Sequence, residues 1–184
     1  MKKIIIIIVA ILVVIALVIG GIFLLNKKEV SVVSMETEQD LENIINSIYK
    51  KANIELPKLM TSVVDIDDEM SLKYTTGLSS KENIEQAVVS EPMMTSQAYS
   101  LVLVKVADGA DVEKVKQEMV DNIDTRKWIC VTADKLYATN HTNLICLVMS
   151  REELAKPIYN AFKEVVQGKI GTELERTTED SIDF

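Results

Sequence analysis

Tyr99-Ser100-Leu101-Val102-Leu103-Val104-Lys105-Val106 is the stretch that decides the fold of this chain. In an extended strand successive side chains point to opposite faces. The unbroken apolar run from Leu101 to Val104 therefore needs cover on both sides. Such a strand belongs in the middle of a sheet. Ala107-Asp108-Gly109-Ala110 follows as a turn, and Asp111 then stands where a helix N-cap is expected. Val112, Val115, Met119 and Ile123 recur at helical spacing behind it, with Glu113, Lys114, Lys116 and Glu118 expected on the outward face.

Working outward, Leu41, Ile44, Ile45, Ile48 and Ala52 mark a second amphipathic helix, opened by Thr37 with Glu38 and Asp40 in its first turn. Pro57 ends that region. Strands are expected at Thr61–Ile66 and Ser71–Thr76, and a short helix at Ser79–Gln86. Beyond the central strand, Trp128–Val131, Lys135–Ala138 and Leu144–Met149 read as strands. The last two form a hairpin turning at Thr139-Asn140-His141-Thr142. Ser150 with Glu153 matches a capping box for a final helix that Pro157 should kink or shorten before Ile158–Val166. The expected class is α/β (α+β), a mostly antiparallel sheet packed by helices and preceded by one transmembrane helix.

Three segments taken in order carry a family resemblance: Tyr74-Thr75-Thr76-Gly77-Leu78, Glu91-Pro92-Met93-Met94, and Ser100–Val106 with Asp108-Gly109-Ala110-Asp111-Val112. Over roughly residues 60–165 the chain resembles the bacterial domain-of-unknown-function family 4358. The resemblance implies a small α/β domain exported by Gram-positive bacteria and held at the membrane. It implies no catalytic residue, because the family offers none.

The N-terminus points to a membrane by its own physics. From Ile4 to Leu25 there is no charged residue, and a helix of that length crosses a hydrocarbon core of about 30 Å. The apolar run exceeds that of a cleaved signal peptide and ends in Gly20-Gly21-Ile22-Phe23-Leu24-Leu25 rather than in a small-x-small cleavage site. A retained anchor is thus expected, with cleavage as the alternative. Lys2 and Lys3 on one flank face Lys27 and Lys28 on the other. The expected orientation keeps the N-terminus in the cytoplasm and the domain outside, with the inverted topology as the alternative. The expected organisation is an anchor with flanking lysines over residues 1–28, a linker over 29–36, a soluble α/β domain over 37–168 and an acidic, flexible tail over 169–184.

Setting aside those four lysines leaves sixteen basic residues against twenty-eight acids, a net charge of −12 from Glu29 onward. Phosphate backbones repel such a surface, so nucleic acid is not an expected partner. The lipid bilayer, met through Ile4 to Leu25, is the expected one, together with an unidentified envelope protein or ligand.

Candidate chemistry is thin. His141 is the only histidine and is expected to be solvated at the hairpin turn, which excludes a multi-histidine metal site. Asn140-His141-Thr142 also matches a glycosylation sequon. Cys130 and Cys146 are expected as two buried reduced thiols. Pairing around residue 141 sets Cys146 opposite Leu136, beyond reach of Cys130. Asp65-Ile66-Asp67-Asp68-Glu69 begins like a calcium loop, but Met70 replaces the required glycine and Thr76 the required glutamate, so a solvated acidic loop is expected. Met93 and Met94 are expected in the core, with an adaptable binding surface as the alternative. Arg126-Lys127-Trp128 reads as the cationic end of a helix. No G-x-S-x-G, H-E-x-x-H, P-loop or paired C-x-x-C spacing occurs, and no catalytic, cofactor or metal residue is assigned. The expected role is an extracytoplasmic interaction or binding module of the cell envelope, with an envelope hydrolase as the competing class.

Overall fold

The computed structural model describes residues 33–178. The expected anchor and residues 179–184 lie outside the described residues. Six strands form one antiparallel sheet: β1 (Leu59–Val63), β2 (Ile84–Pro92), β3 (Tyr99–Val106), β4 (Lys135–His141), β5 (Leu144–Ser150) and β6 (Leu174–Thr177). Their order across the sheet is β1-β2-β3-β5-β4-β6. The helices α1 (Glu38–Ala52), α2 (Glu69–Thr76), α3 (Val112–Asn122) and α4 (Glu152–Val165) pack on it. No helix among the described residues is long and apolar enough to cross a membrane.

β3 runs between β2 and β5 and is buried along its whole length. Val102, Val104 and Val106 enter a core with Leu72 of α2 and Val115, Met119 and Val120 of α3. Tyr99, Leu101 and Leu103 enter a second core with Leu41, Ile44, Ile45 and Ile48 of α1 and Ile158, Tyr159 and Phe162 of α4. Helices therefore cover both faces of the sheet, which is why β3 is apolar on both. Two helix starts follow the sequence reading. Thr37 Oγ1 accepts from Asp40 N at 3.1 Å while Asp40 Oδ2 accepts from Thr37 N at 3.1 Å, and Asp111 accepts from Lys114 N at 3.1 Å.

Several local expectations are corrected. Ser71–Thr76 is not a strand but most of α2, capped by Asp68, which accepts from Met70 N at 2.9 Å. Gly77 ends this helix at φ +80°. A Cβ there would stand 2.7 Å from Ile123 N and 2.9 Å from Met119 O, so only glycine lets α2 close against α3. Ser79–Gln86 forms no helix. Ser80 Oγ accepts from Glu82 N in a local turn, and Ile84 opens β2, whose Ala87, Val88 and Val89 divide between the two cores. Trp128–Val131 forms no strand either, for Cys130 turns the chain at φ +62°. The expected linker is packed at its end, with Met35 buried and Gln86 Nε2 donating to Glu36 O at 2.9 Å.

The hairpin turns later than expected, on Thr142-Asn143, because His141 pairs with Leu144. Cys146 then faces Thr139 instead of Leu136. Asn143 fixes this turn against β3 by donating from Nδ2 to Val106 O at 2.8 Å. Ser150 is the last residue of β5 and donates to Ala98 O at 2.7 Å, so the expected capping box with Glu153 does not form and Arg151 precedes α4. α4 runs from Glu152 to Val165 with Pro157 inside it. Burial of Ala155, Ile158, Tyr159, Ala161 and Phe162 outweighs the one missing N–H.

The expected flexible tail is corrected over Leu174–Thr177, which pairs antiparallel with β4. Leu174 packs on the core beside α3, and Arg176 donates to Asp121 O at 3.0 Å and to the carbonyls of Val120 and Ile123. A guanidinium on the last carbonyls of α3 satisfies groups that no intrahelical donor reaches.

Candidate interaction surface

The two edges of the sheet differ in kind. β6 is four residues long and carries Glu175 and Arg176, with Lys135 Nζ 2.7 Å from Glu175 Oε1, so charge blunts it against further pairing. β1 reads Leu59-Met60-Thr61-Ser62-Val63 and has no charge, proline or bulge within it. Its ladder with β2 shows which backbone groups are spare. Val64 N donates to Ala87 O at 2.8 Å and Met93 N to Lys58 O at 3.2 Å, so the even-numbered residues face β2. The N–H and C=O groups of Leu59, Thr61 and Val63 consequently point away from the sheet. Among the described residues no strand pairs with them. Lys58 and Asp65 flank this edge, both exposed.

Beside β1 lies an apolar surface. Met60, Met70, Tyr74, Met93, Met94 and Ile129 each expose more than half of their area. Met93 and Met94 are thus corrected from core to surface. Met70 and Tyr74 are four residues apart and share one face of α2. Met60 stands opposite Glu91 in the β1–β2 register, and Ile129 N donates to Thr95 O at 3.1 Å, tying its loop to the Met93–Met94 segment. Methionine thioethers adapt to differently shaped partners, and a cluster of them on a surface suits contact with protein.

Lys127 fastens this surface from below. Its side chain is 1% exposed, and Nζ lies 2.6 Å from Glu91 Oε1 without the alignment of a hydrogen bond. The ammonium sits 4.9 Å from the ring centre of Tyr74 and 5.5 Å from that of Trp128. Tyr74 Oη donates to Lys127 O at 3.3 Å. Burial pulls the Lys127 ammonium below the ordinary lysine range, against Glu91, which pulls it upward. Arg126-Lys127-Trp128 is accordingly no cationic helix end. α3 stops at Asn122, Arg126 stays in solvent, and Lys127 and Trp128 turn inward to join α2, β2 and the Asp124–Val131 loop.

The residues singled out from sequence serve the fold. His141 is buried, not solvated. It lies in β4, with Nδ1 2.6 Å from Lys169 O, and since a carbonyl only accepts, Nδ1 carries the proton. Asn140 of the sequon is also buried, its Oδ1 accepting from Lys116 Nζ at 2.7 Å. Lys116 is corrected from the outward face of α3 to full burial, where Glu113 Oε1 at 2.8 Å and Thr172 O at 2.6 Å complete its partners. Both cysteines are unpaired. Cys146 is buried in β5, which pushes its thiol far up, whereas Cys130 is exposed rather than buried. In the acidic loop Asp65 accepts from Asp67 N at 3.0 Å, Asp67 pairs with Lys81 and Asp68 caps α2. Among the described residues no group of three or more His, Cys, Asp or Glu side chains is placed to hold a metal ion.

Two clefts among the described residues carry no reactive constellation. A cleft of about 590 Å3 at one end of the sheet is lined by Leu56, Pro57, Ala98, Tyr99 and Val131, with Glu55 and Arg151 as its charged residues. A cleft of about 560 Å3 beneath Arg176 holds a single carboxylate, Asp124. Neither pairs carboxylates for acid–base work, and His141 lines neither. The sequence offers a binding surface at Met93 and Met94 only as the alternative to core, and the strand expected at Ser71–Thr76 hides the contribution of Met70 and Tyr74. The spacing of Met70 and Tyr74 was the available signal. No protein-family model, curated protein or solved structure matches this chain.

Proposed function

We propose that this protein is a membrane-anchored interaction module of the cell envelope, carried on Ile4 to Leu25 with its α/β domain outside the cytoplasm, and that its working surface is the β1 edge with the methionine-rich face beside it. The observation that carries the reading is the contrast between the two sheet edges, one blunted by charge and the other left open for strand addition. The uncharged stretch from Ile4 to Leu25, long enough to cross a hydrocarbon core as a helix, supports the location. The acidic balance of the domain favours protein over nucleic acid or anionic lipid as what it meets.

Two measurements in intact cells test this. Added protease should degrade the domain while cytoplasmic proteins survive. A photo-crosslinking amino acid at Met60 should give discrete protein adducts, whereas one at Glu164, an exposed position on α4, should give none. A domain that resists the protease while known surface proteins are cut, or adducts no richer from Met60 than from Glu164, would overturn the proposal.

A further inference from the structure

We infer that the strand received by the β1 edge is β1 of a second copy of this chain, joined antiparallel about a two-fold axis through Thr61, so that two six-stranded sheets become one. This deepens the reading of β1 as the working edge and rests on it. The outward backbone groups belong to Leu59, Thr61 and Val63. A two-fold at Thr61 sets Thr61 against its own counterpart and Leu59 against the partner's Val63, and again in reverse, so each outward N–H meets an outward C=O. Side chains agree with this register. Leu59 and Val63 form an apolar cross-strand pair on one face, while Met60 lies across from the partner's Ser62 on the other. Val63 is 42% exposed in the single copy and would lose that exposure.

Charge selects the direction. Lys58 precedes the strand and Asp65, Asp67 and Asp68 follow it. An antiparallel pair brings Lys58 of each copy beside the acidic end of the other, whereas a parallel pair sets acid against acid. A strand from an unrelated acidic surface would gain no such match at both ends. The domain as a whole is strongly acidic, so two copies repel at long range and the contact is weak in dilute solution. Holding both copies in one membrane raises their local concentration and offsets that repulsion.

The full-length chain in detergent, with its protein mass followed by light scattering over a dilution series, tests the inference. The wild type should pass from dimer to monomer on dilution. Val63→Lys replaces one side of the apolar pair with the partner's Leu59 by a cation and should weaken the dimer about tenfold. Lys58→Gln and Lys58→Glu leave the strand untouched and should weaken it progressively in that order. A monomer at every concentration overturns the inference, as does a dimer indifferent to all three substitutions, which would place the contact elsewhere. If the wild type is monomeric while Met60 still crosslinks to another envelope protein, self-pairing alone is wrong. If Met60 gives no adduct either, the interaction reading falls with it.

Discussion

Replacing Lys116 with methionine should destabilise the domain far more than removing its carboxylate partner. The ammonium is fully buried between α3, β4 and the segment before β6, donating to Glu113 Oε1, Asn140 Oδ1 and Thr172 O. Methionine keeps the apolar stem but offers no donor. Asn140 Oδ1 and Thr172 O are then left without their partner at about 1–3 kcal/mol each. The desolvation no longer imposed on a buried cation offsets part of this, and the loss should be about 3 kcal/mol. Glu113 has a side chain 52% exposed, so in Glu113→Ala water reaches the ammonium in place of the carboxylate and the cost should be about 1 kcal/mol. The assay is urea unfolding of the full-length chain in detergent, followed by the fluorescence of Trp128, the single tryptophan. A Lys116→Met variant as stable as wild type, or no more damaged than Glu113→Ala, would refute the view that this lysine ties helix, sheet and C-terminal strand together.

Gly77→Ala should cost about 2–4 kcal/mol in the same assay, because it adds a left-handed backbone penalty to a collision with the α3 backbone. A cost within error of zero would show that α2 and α3 can separate freely. Arg176→Ala should release β6 first, seen as faster amide exchange at Leu174–Thr177 while β3 stays protected; uniform change across the sheet would contradict this. Native protein should react with a thiol reagent at Cys130 and not at Cys146 until it unfolds, and equal reaction at both would contradict the burial of β5. Ser79 N and Oγ both donate to Glu118 and hold its carboxyl below the usual range. Protons therefore bind the unfolded chain first, and the stability this contact supplies, present above the ordinary carboxylate pKa, is lost as pH falls through the lowered value. Wild type should lose more stability on acidification than Glu118→Gln, and identical acid profiles would contradict this.

What the sequence made legible was governed by strong, local signals. β3 declares itself because a strand buried on both faces needs an unbroken apolar run, and α1 and α3 declare themselves through Thr37, Asp111 and their helical spacing. α2 was hidden because eight residues give too little periodicity to tell Leu72, Thr75 and Thr76 from an alternating strand. β6 was hidden because the pairing of Leu174–Thr177 with β4 is settled by a distant strand and by Arg176 on α3, and its own composition resembles a tail. A hairpin displaced to Thr142-Asn143 drew His141 and Asn140 into the sheet, which buries both and reverses the exposure expected of His141. The candidate surface was least legible, since whether an edge strand is spare depends on which residues of β1 face β2.

Amide exchange along β1 in native membranes tests the central claim most directly. If the edge is the working surface, the outward amides of Leu59, Thr61 and Val63 should exchange as slowly there as those of Met60 and Ser62, which are bonded to β2, and should become fast in the dilute, purified chain. Fast exchange at the three outward amides in membranes, with Met60 and Ser62 still protected, would mean that the edge receives no strand and would contradict the account.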